Sequence, residues 1–142
     1  MTNLFKKYDA QAYALMRIVA GLLFLCHGSQ KILGFPAPAH EAPPFITYGA
    51  GWIELIGGTL IMVGLFAGWV AFICSGEMAV AYWMAHGSKN AFPLLNGGEL
   101  AALYCFLFLC IAAHGAGIWS VDAALAKPIR ARTPWRSIST HP

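Results

Sequence analysis

Charge is scarce in this sequence, and its scarcity excludes most soluble proteins. The 142 residues include nine Lys and Arg and six Asp and Glu, so that 11% are charged and 58% are hydrophobic. Mean hydropathy is +0.61, and a soluble domain of 15.3 kDa could not hide this much apolar surface. The composition is that of a single-domain membrane protein in a lipid bilayer. The net charge of +3 is too small to indicate a nucleic-acid partner.

Motifs for metal or disulfide chemistry are also missing. The four cysteines form no CxxC pair, and no Cys/His cluster has the spacing of a zinc site. Glu-x-x-His, the motif of di-metal carboxylate bundles, does not occur. Haem needs axial ligands at matching depth, which His27 and His86 specify only weakly. We therefore predict no metal site, and no motif supports haem.

Long apolar segments are the strongest pattern present. Four of them approach the roughly 20 residues that a spanning helix needs: 12–33, 49–66, 69–86 and 98–119. None alternates with the period of two that strands show. The sequence thus predicts an all-α, four-transmembrane-helix bundle over residues 12–125. A cytoplasmic segment, 1–11, precedes it, and a basic, flexible cytoplasmic tail, 126–142, follows it.

The distribution of basic residues predicts the orientation. They concentrate in the two tails: Lys6, Lys7, Lys127, Arg130, Arg132 and Arg136. The loops at 34–48 and 86–97 contain only Lys89, and Lys31 lies just before the first of them. Because positive residues favour the cytoplasm, we expect both termini inside and both long loops outside, in a multi-pass membrane protein.

Ionisable residues within the apolar segments indicate where function lies. A charge at the centre of a bilayer costs at least about 2.5–3.5 kcal/mol, so such residues usually face a partner or a polar cavity. By depth, the outer half of the bundle collects His27, Glu54, His86 and Glu99. These four, with Phe24 and Trp52 beside them, are the candidate site. The alternative is that Glu54 and Glu99 are carboxylates near the membrane interface and that Trp52 belongs to an aromatic belt.

Two further charges lie deep in the segments. Arg17 lies near the inner end of the first and Glu77 within the third. Both are costly in isolation, so we predict a structural ion pair between Arg17 and Glu77. The alternatives are an Arg17 side chain that reaches the interface and a Glu77 that acts in function.

Three stretches resemble the DoxX family of small four-helix bacterial membrane proteins. MRIVAGLLFLCHGSQKIL is similar to the first helix of that family, and GWIELIGGTLIMVGLF to the second, with its Glu followed by a Gly pair. NGGELAALYCFLFLCIAAHGAGIWSVD resembles the fourth helix and the trailing Gly-x-Trp-Ser-x-Asp. The resemblance covers residues 12–125. It implies a redox-associated membrane role, with quinone as the implied cofactor.

Two functions stay open at this point. One is a quinone-interacting oxidoreductase, or its membrane subunit, with His27, Glu54 and Glu99 at the quinone carbonyls. The other is a non-catalytic accessory or assembly subunit of a larger membrane complex, which suits a chain without a complete catalytic motif. Its partners would be other membrane subunits, soluble redox proteins or further copies of itself. The sequence does not decide whether the protein is an enzyme.

Overall fold

The computed structural model describes residues 5–38 and 43–126, and over these ranges it contains helices and no strand. The predicted all-α class is confirmed. Four long helices are α1 (Asp9–Leu33), α2 (Pro44–Val63), α3 (Ala67–Tyr82) and α5 (Glu99–His114). Two short ones are α4 (Pro93–Asn96) and α6 (Val121–Leu125). A 3-10 turn (Lys6–Tyr8) precedes α1, and a π-helical turn (Trp83–Gly87) continues α3. Of the predicted tail, 126–142, all but Ala126 lies outside the described residues.

Proline and glycine determine where the helices begin and end. Pro44 is the first residue of α2, a position at which the missing N–H of proline costs nothing, so α2 begins five residues before the predicted segment. Gly34 and Gly64 end α1 and α2 in the left-handed conformation, at φ of 66° and 73°. The fourth predicted segment was too long, because α5 ends at His114 and Gly115 follows at φ 84°.

Two helical stretches are long and apolar enough to cross a membrane, Lys6–Leu33 and Pro44–Val63. About a third or less of each is buried within the protein, which leaves most of their apolar surface facing outward. The helices α3 and α5 have 16 residues each, about 24 Å at 1.5 Å per residue. The predicted count of four spans therefore stays a prediction.

Close backbone contact joins α1 to α2. A Cβ atom on Gly21 would lie 2.8 Å from the carbonyl oxygen of Gly58, and a Cβ on Gly58 would lie 2.8 Å from that of Gly21. Gly28 lies equally close to the backbone of Leu55. Small residues permit this approach. In a bilayer the hydrophobic effect does not drive helices together, so the van der Waals contacts of such close packing stabilise the pair. The pair of helices is therefore a rigid wall for whatever lies beside it.

A second helix pair, α3 and α5, packs against the first through a buried core. The Ser75 hydroxyl of α3 donates to the carbonyl oxygen of Cys105 on α5 at 2.7 Å. Phe24 of α1 meets Phe108 of α5 edge to face, with ring centroids 4.7 Å apart. The aromatic core therefore lies between α1 and α5.

One end of the bundle, where α1 begins and α2 ends, is held together by polar contacts, and we call it the inner end. Asp122 accepts from the backbone N–H groups of Phe66 and Ala67 at 2.9 and 3.1 Å, so it caps the start of α3. Ser120 accepts from the N–H of Ala123 and caps α6 in the same way. The motif that resembles Gly-x-Trp-Ser-x-Asp is thus a set of helix caps.

Candidate functional site

A cavity of about 700 Å³ lies among the four long helices, in the half of the bundle nearest Leu33 and Pro44. At its inner boundary Gly57 of α2 lies directly against the Cys74 sulfur of α3. Beyond that contact the residues lining the cavity come from α1, α2, α3, the π-helical turn and α5. The site therefore occupies the end of the bundle opposite the inner-end caps.

The walls of the cavity are mostly apolar and reach the outer surface of the bundle. Ile53 of α2 lines it, as do Val80 and Met84 on the α3 side. Val80 is 56% exposed and Met84 59% exposed, so these walls also face the surroundings of the bundle. The cavity is therefore not sealed on its α3 side, where apolar side chains are accessible.

Glu54 is the most buried charged group of the cavity, at 2% exposure. Its Oε1 forms an ion pair with the Lys31 ammonium, which comes from the last turn of α1 and is 27% exposed at the side chain. Its Oε2 is buried and has no hydrogen-bond partner among the described residues. An unsatisfied buried oxygen of this kind is costly, so it marks a place where a donor is expected to bind.

Glu77 of α3 lines the same cavity. Its Oε2 is also buried and also lacks a partner within the part of the chain that the structure describes. The charged neighbours that act on it are Glu54 and Lys31. Two carboxyl groups therefore line one cavity, Lys31 pairs with only Glu54 of the two, and each carboxyl group has a buried oxygen without a donor among the described residues.

Aromatic rings and a histidine form the α1–α5 side of the cavity. Tyr104 stacks on Phe108 with centroids 5.3 Å apart and lies 5.5 Å from the Phe24 ring. The His27 ring meets Tyr104 edge to face at 6.3 Å. Phe24, His27 and Tyr104 all line the cavity, so a flat ligand would meet ring faces and a proton-exchanging imidazole on this side.

His86 lies at the outer rim, in the π-helical turn. Its Nδ1 lies 3.0 Å from the carbonyl oxygen of Asn96, and a carbonyl only accepts, so Nδ1 is the donor of this hydrogen bond. The Asn96 amide is buried and donates to the Tyr82 hydroxyl and to the carbonyl of Asn90. Such π-helical turns occur frequently at functional sites.

The structure brings together most of the predicted site and excludes two of its members. Phe24, His27, Glu54 and His86 line one cavity. Glu99 does not line it: it is exposed at the first turn of α5. Trp52 is 49% exposed and also faces away from it. Both predictions failed because depth along a helix does not fix the face on which a side chain lies.

The predicted Arg17–Glu77 ion pair is wrong. Arg17 is completely buried at the inner end, and its guanidinium donates to four backbone carbonyls, of Ile61, Met62, Ile118 and Trp119. Asp122 is the carboxylate that acts on it. Glu77 belongs to the cavity in the other half of the bundle. The sequence argument assumed that a buried cation needs a carboxylate, but the orphan carbonyls at a helix end serve equally well.

The sequence analysis missed Lys31, Glu77 and Tyr104 as cavity residues. Lys31 follows His27 by four positions, so the two share a helix face, and this spacing could have identified it. No comparable signal marks Tyr104. Within residues 5–38 and 43–126, no three His, Cys, Asp or Glu side chains come together as metal ligands.

Comparison with known proteins identifies the family. The model of the DoxX family matches residues 12–87, which include most of α1, all of α2 and α3, and six of the seven charged, aromatic and histidine groups of the cavity described above. The chain belongs to the DoxX family. An uncharacterized protein of Haemophilus influenzae is 42% identical over 130 residues, which cover 86% of this chain and 96% of the relative. No solved structure matches the chain. As a DoxX-family chain with apolar, outward-facing helices, it is a membrane protein.

Proposed function

We propose that this DoxX-family protein binds a membrane quinone or quinol in the cavity and takes part in membrane redox chemistry through it. The observation that carries the proposal is the buried Glu54 oxygen without a partner inside a mostly apolar cavity whose α3-side wall is accessible. In a bilayer, an accessible apolar wall of this kind would admit a lipid-soluble ligand.

The size of the cavity suits such a ligand. Pockets for small molecules occupy about 300–1,000 Å³ and combine apolar walls with a few polar groups that fix orientation. At about 700 Å³ this cavity has room for an aromatic head group, and the accessible wall beside Val80 and Met84 leaves a path for a tail. The rings of Phe24 and Tyr104 offer stacking surfaces for the head group.

The polar groups suit the chemistry of a quinone, which takes up or releases protons at its two oxygens. Glu54, Glu77 and His27 line the cavity and can each exchange a proton there. Lys31 pairs with Glu54 Oε1 from the last turn of α1. The proposal assigns binding and proton exchange to these residues and leaves the electron partner to another protein.

We further propose that α1, α2, α3 with its π-helical extension, and α5 all cross the bacterial inner membrane. The basic tails then lie in the cytoplasm together with the inner-end caps, and the cavity lies in the outer half of the bilayer. In this arrangement the Lys31–Glu54 pair is close to the outer aqueous surface.

Purification in mild detergent, followed by extraction and mass spectrometry, tests the proposal. We expect copurified quinone in the wild type and its loss in His27→Phe and Glu54→Leu, which removes the carboxyl group without adding a donor. Glu99→Leu, at an exposed carboxylate outside the cavity, is the matched control and should keep the quinone. If no quinone copurifies and none binds on titration, while other membrane subunits copurify, the protein is an accessory subunit and the proposal is wrong.

A further inference from the structure

We infer that the cavity binds the reduced, dihydroxy form of its ligand more tightly than the oxidised, dicarbonyl form. This inference rests on the proposed function and specifies which form of the quinone the site recognises. Its basis is the pair of buried carboxyl oxygens, Glu54 Oε2 and Glu77 Oε2, that lack donors in the described chain.

The donors that line the cavity do not reach these two oxygens. The side chains of Lys31, His27 and Tyr104 form no hydrogen bond with Glu54 Oε2 or Glu77 Oε2, and the Lys31 ammonium is paired with Glu54 Oε1. The proton on His86 Nδ1 is directed at the Asn96 carbonyl. Two carboxyl oxygens therefore remain unpaired, and the missing component is a hydrogen-bond donor placed within their reach.

A hydroxyl group meets this need in either state of the carboxyl group. An ionised carboxylate only accepts hydrogen bonds, so a ligand O–H satisfies it and a ligand carbonyl repels it. A protonated carboxyl can donate, and a hydroxyl oxygen can accept from it as well as a carbonyl can. The dihydroxy form is therefore compatible with every protonation state of Glu54 and Glu77, whereas the dicarbonyl form requires the carboxyl that it meets to be protonated.

Burial increases the difference between the two forms. Glu54 is 2% exposed, so it has little contact with bulk water, and a bound ligand that brings no donor leaves its free oxygen unpaired. A buried acceptor that stays unpaired costs roughly 1–3 kcal/mol, and a factor of ten in binding corresponds to about 1.4 kcal/mol. One satisfied carboxylate oxygen is thus enough for a preference of about tenfold.

The test is equilibrium titration of the purified protein with one decyl-substituted benzoquinone, either oxidised or reduced under argon. We expect the reduced form to bind at least about tenfold more tightly. For a two-electron couple this is equivalent to a midpoint potential about 30 mV more positive for the bound ligand than for the free one. Redox titration of the bound ligand provides this second measurement.

Glu77→Gln is the decisive variant, because its free carboxyl oxygen has no partner that folding would lose. The amide adds an N–H donor, so the oxidised form should gain affinity and the preference should fall to about one. Glu99→Gln should keep the wild-type preference, since Glu99 is exposed outside the cavity.

The outcomes separate this inference from the proposed function. Equal affinity for the two forms in the wild type, or a preference unchanged by Glu77→Gln, overturns the inference and leaves quinone binding intact. Failure of both forms to bind overturns the proposed function. If neither form of the quinone binds and a long-chain alkylammonium does, the missing donor is a cationic ligand, and both the inference and the proposed function are wrong.

Discussion

Arg17 donates to the carbonyl oxygen of Trp119 at 2.7 Å, across 102 residues of sequence. The same guanidinium holds two carbonyls of the last turn of α2, so one side chain ties the first helix to the second and to the segment after α5. Trp119 has a left-handed backbone, at φ 54°, which presents its carbonyl to the arginine. Arg17 therefore has a structural place in the bundle, with backbone carbonyls and not Glu77 as its partners.

Loss of Arg17 should destabilise the protein strongly, and removal of Glu77 should not rescue it. Hydrogen bonds to charged groups contribute about 1.5–3 kcal/mol each, and Arg17→Ala leaves several buried carbonyls unpaired. We expect a large fall in thermal stability in detergent for Arg17→Ala and an additive effect in Arg17→Ala/Glu77→Gln. Recovery of stability in the double variant would instead support an Arg17–Glu77 ion pair, which the structure does not contain.

Alanine at Gly58 should separate α1 from α2. The new Cβ would lie 2.8 Å from the carbonyl oxygen of Gly21, and forced overpacking costs about 1–3 kcal/mol. Gly76→Ala is the matched control, because it is also helical and has open space around it. Without a clash it should be neutral or stabilising by up to about 1 kcal/mol. Thermal unfolding of both variants in one detergent checks the contrast, which equal effects would refute.

Asp122→Ala should weaken the start of α3. Its carboxylate caps two backbone N–H groups, and loss of such a cap costs about 0.5–2 kcal/mol. Asp9→Ala, at the exposed first turn of α1 where no side chain forms a cap, should cost less. Hydrogen exchange should locate the Asp122→Ala effect in the first turn of α3. Unchanged protection there would argue against the cap.

A bulky residue in the cavity should block binding without unfolding the bundle. Ala50 lines the cavity, so Ala50→Trp fills volume that a ligand would occupy. Leu103 is exposed on α5 and lies outside the cavity, so Leu103→Trp is the matched control. We expect loss of quinone binding in the first variant and unchanged binding in the second, at similar melting temperatures. Retained binding in Ala50→Trp would place the ligand elsewhere.

The orientation of the chain can be tested without purification. A reporter fused after Pro142 should behave as cytoplasmic, because the basic residues of the tail favour that side. A reporter inserted in the loop between Pro36 and Pro44 should behave as external. The reverse pattern would move the cavity to the cytoplasmic half of the bilayer.

By itself the sequence determined the helical class, the approximate helices and part of the site. Apolar length predicts helices, and proline and glycine mark their ends, because both act locally on the backbone. It also selected His27, Glu54 and His86, because a polar group in an apolar segment is costly wherever it lies. These inferences do not depend on which helices pack against each other.

Only the tertiary structure decided which charges meet. Glu99 and Glu54 looked equivalent by depth, yet one is exposed and the other is buried beside Lys31. Arg17 donates to backbone carbonyls and not to Glu77. The sequence could not predict this, because every residue has a backbone carbonyl and the unpaired ones at a helix end have no residue signature. Rotation of each helix about its axis and the partner it packs against fix these contacts. Both are set by backbone contacts such as that of Gly21 with Gly58.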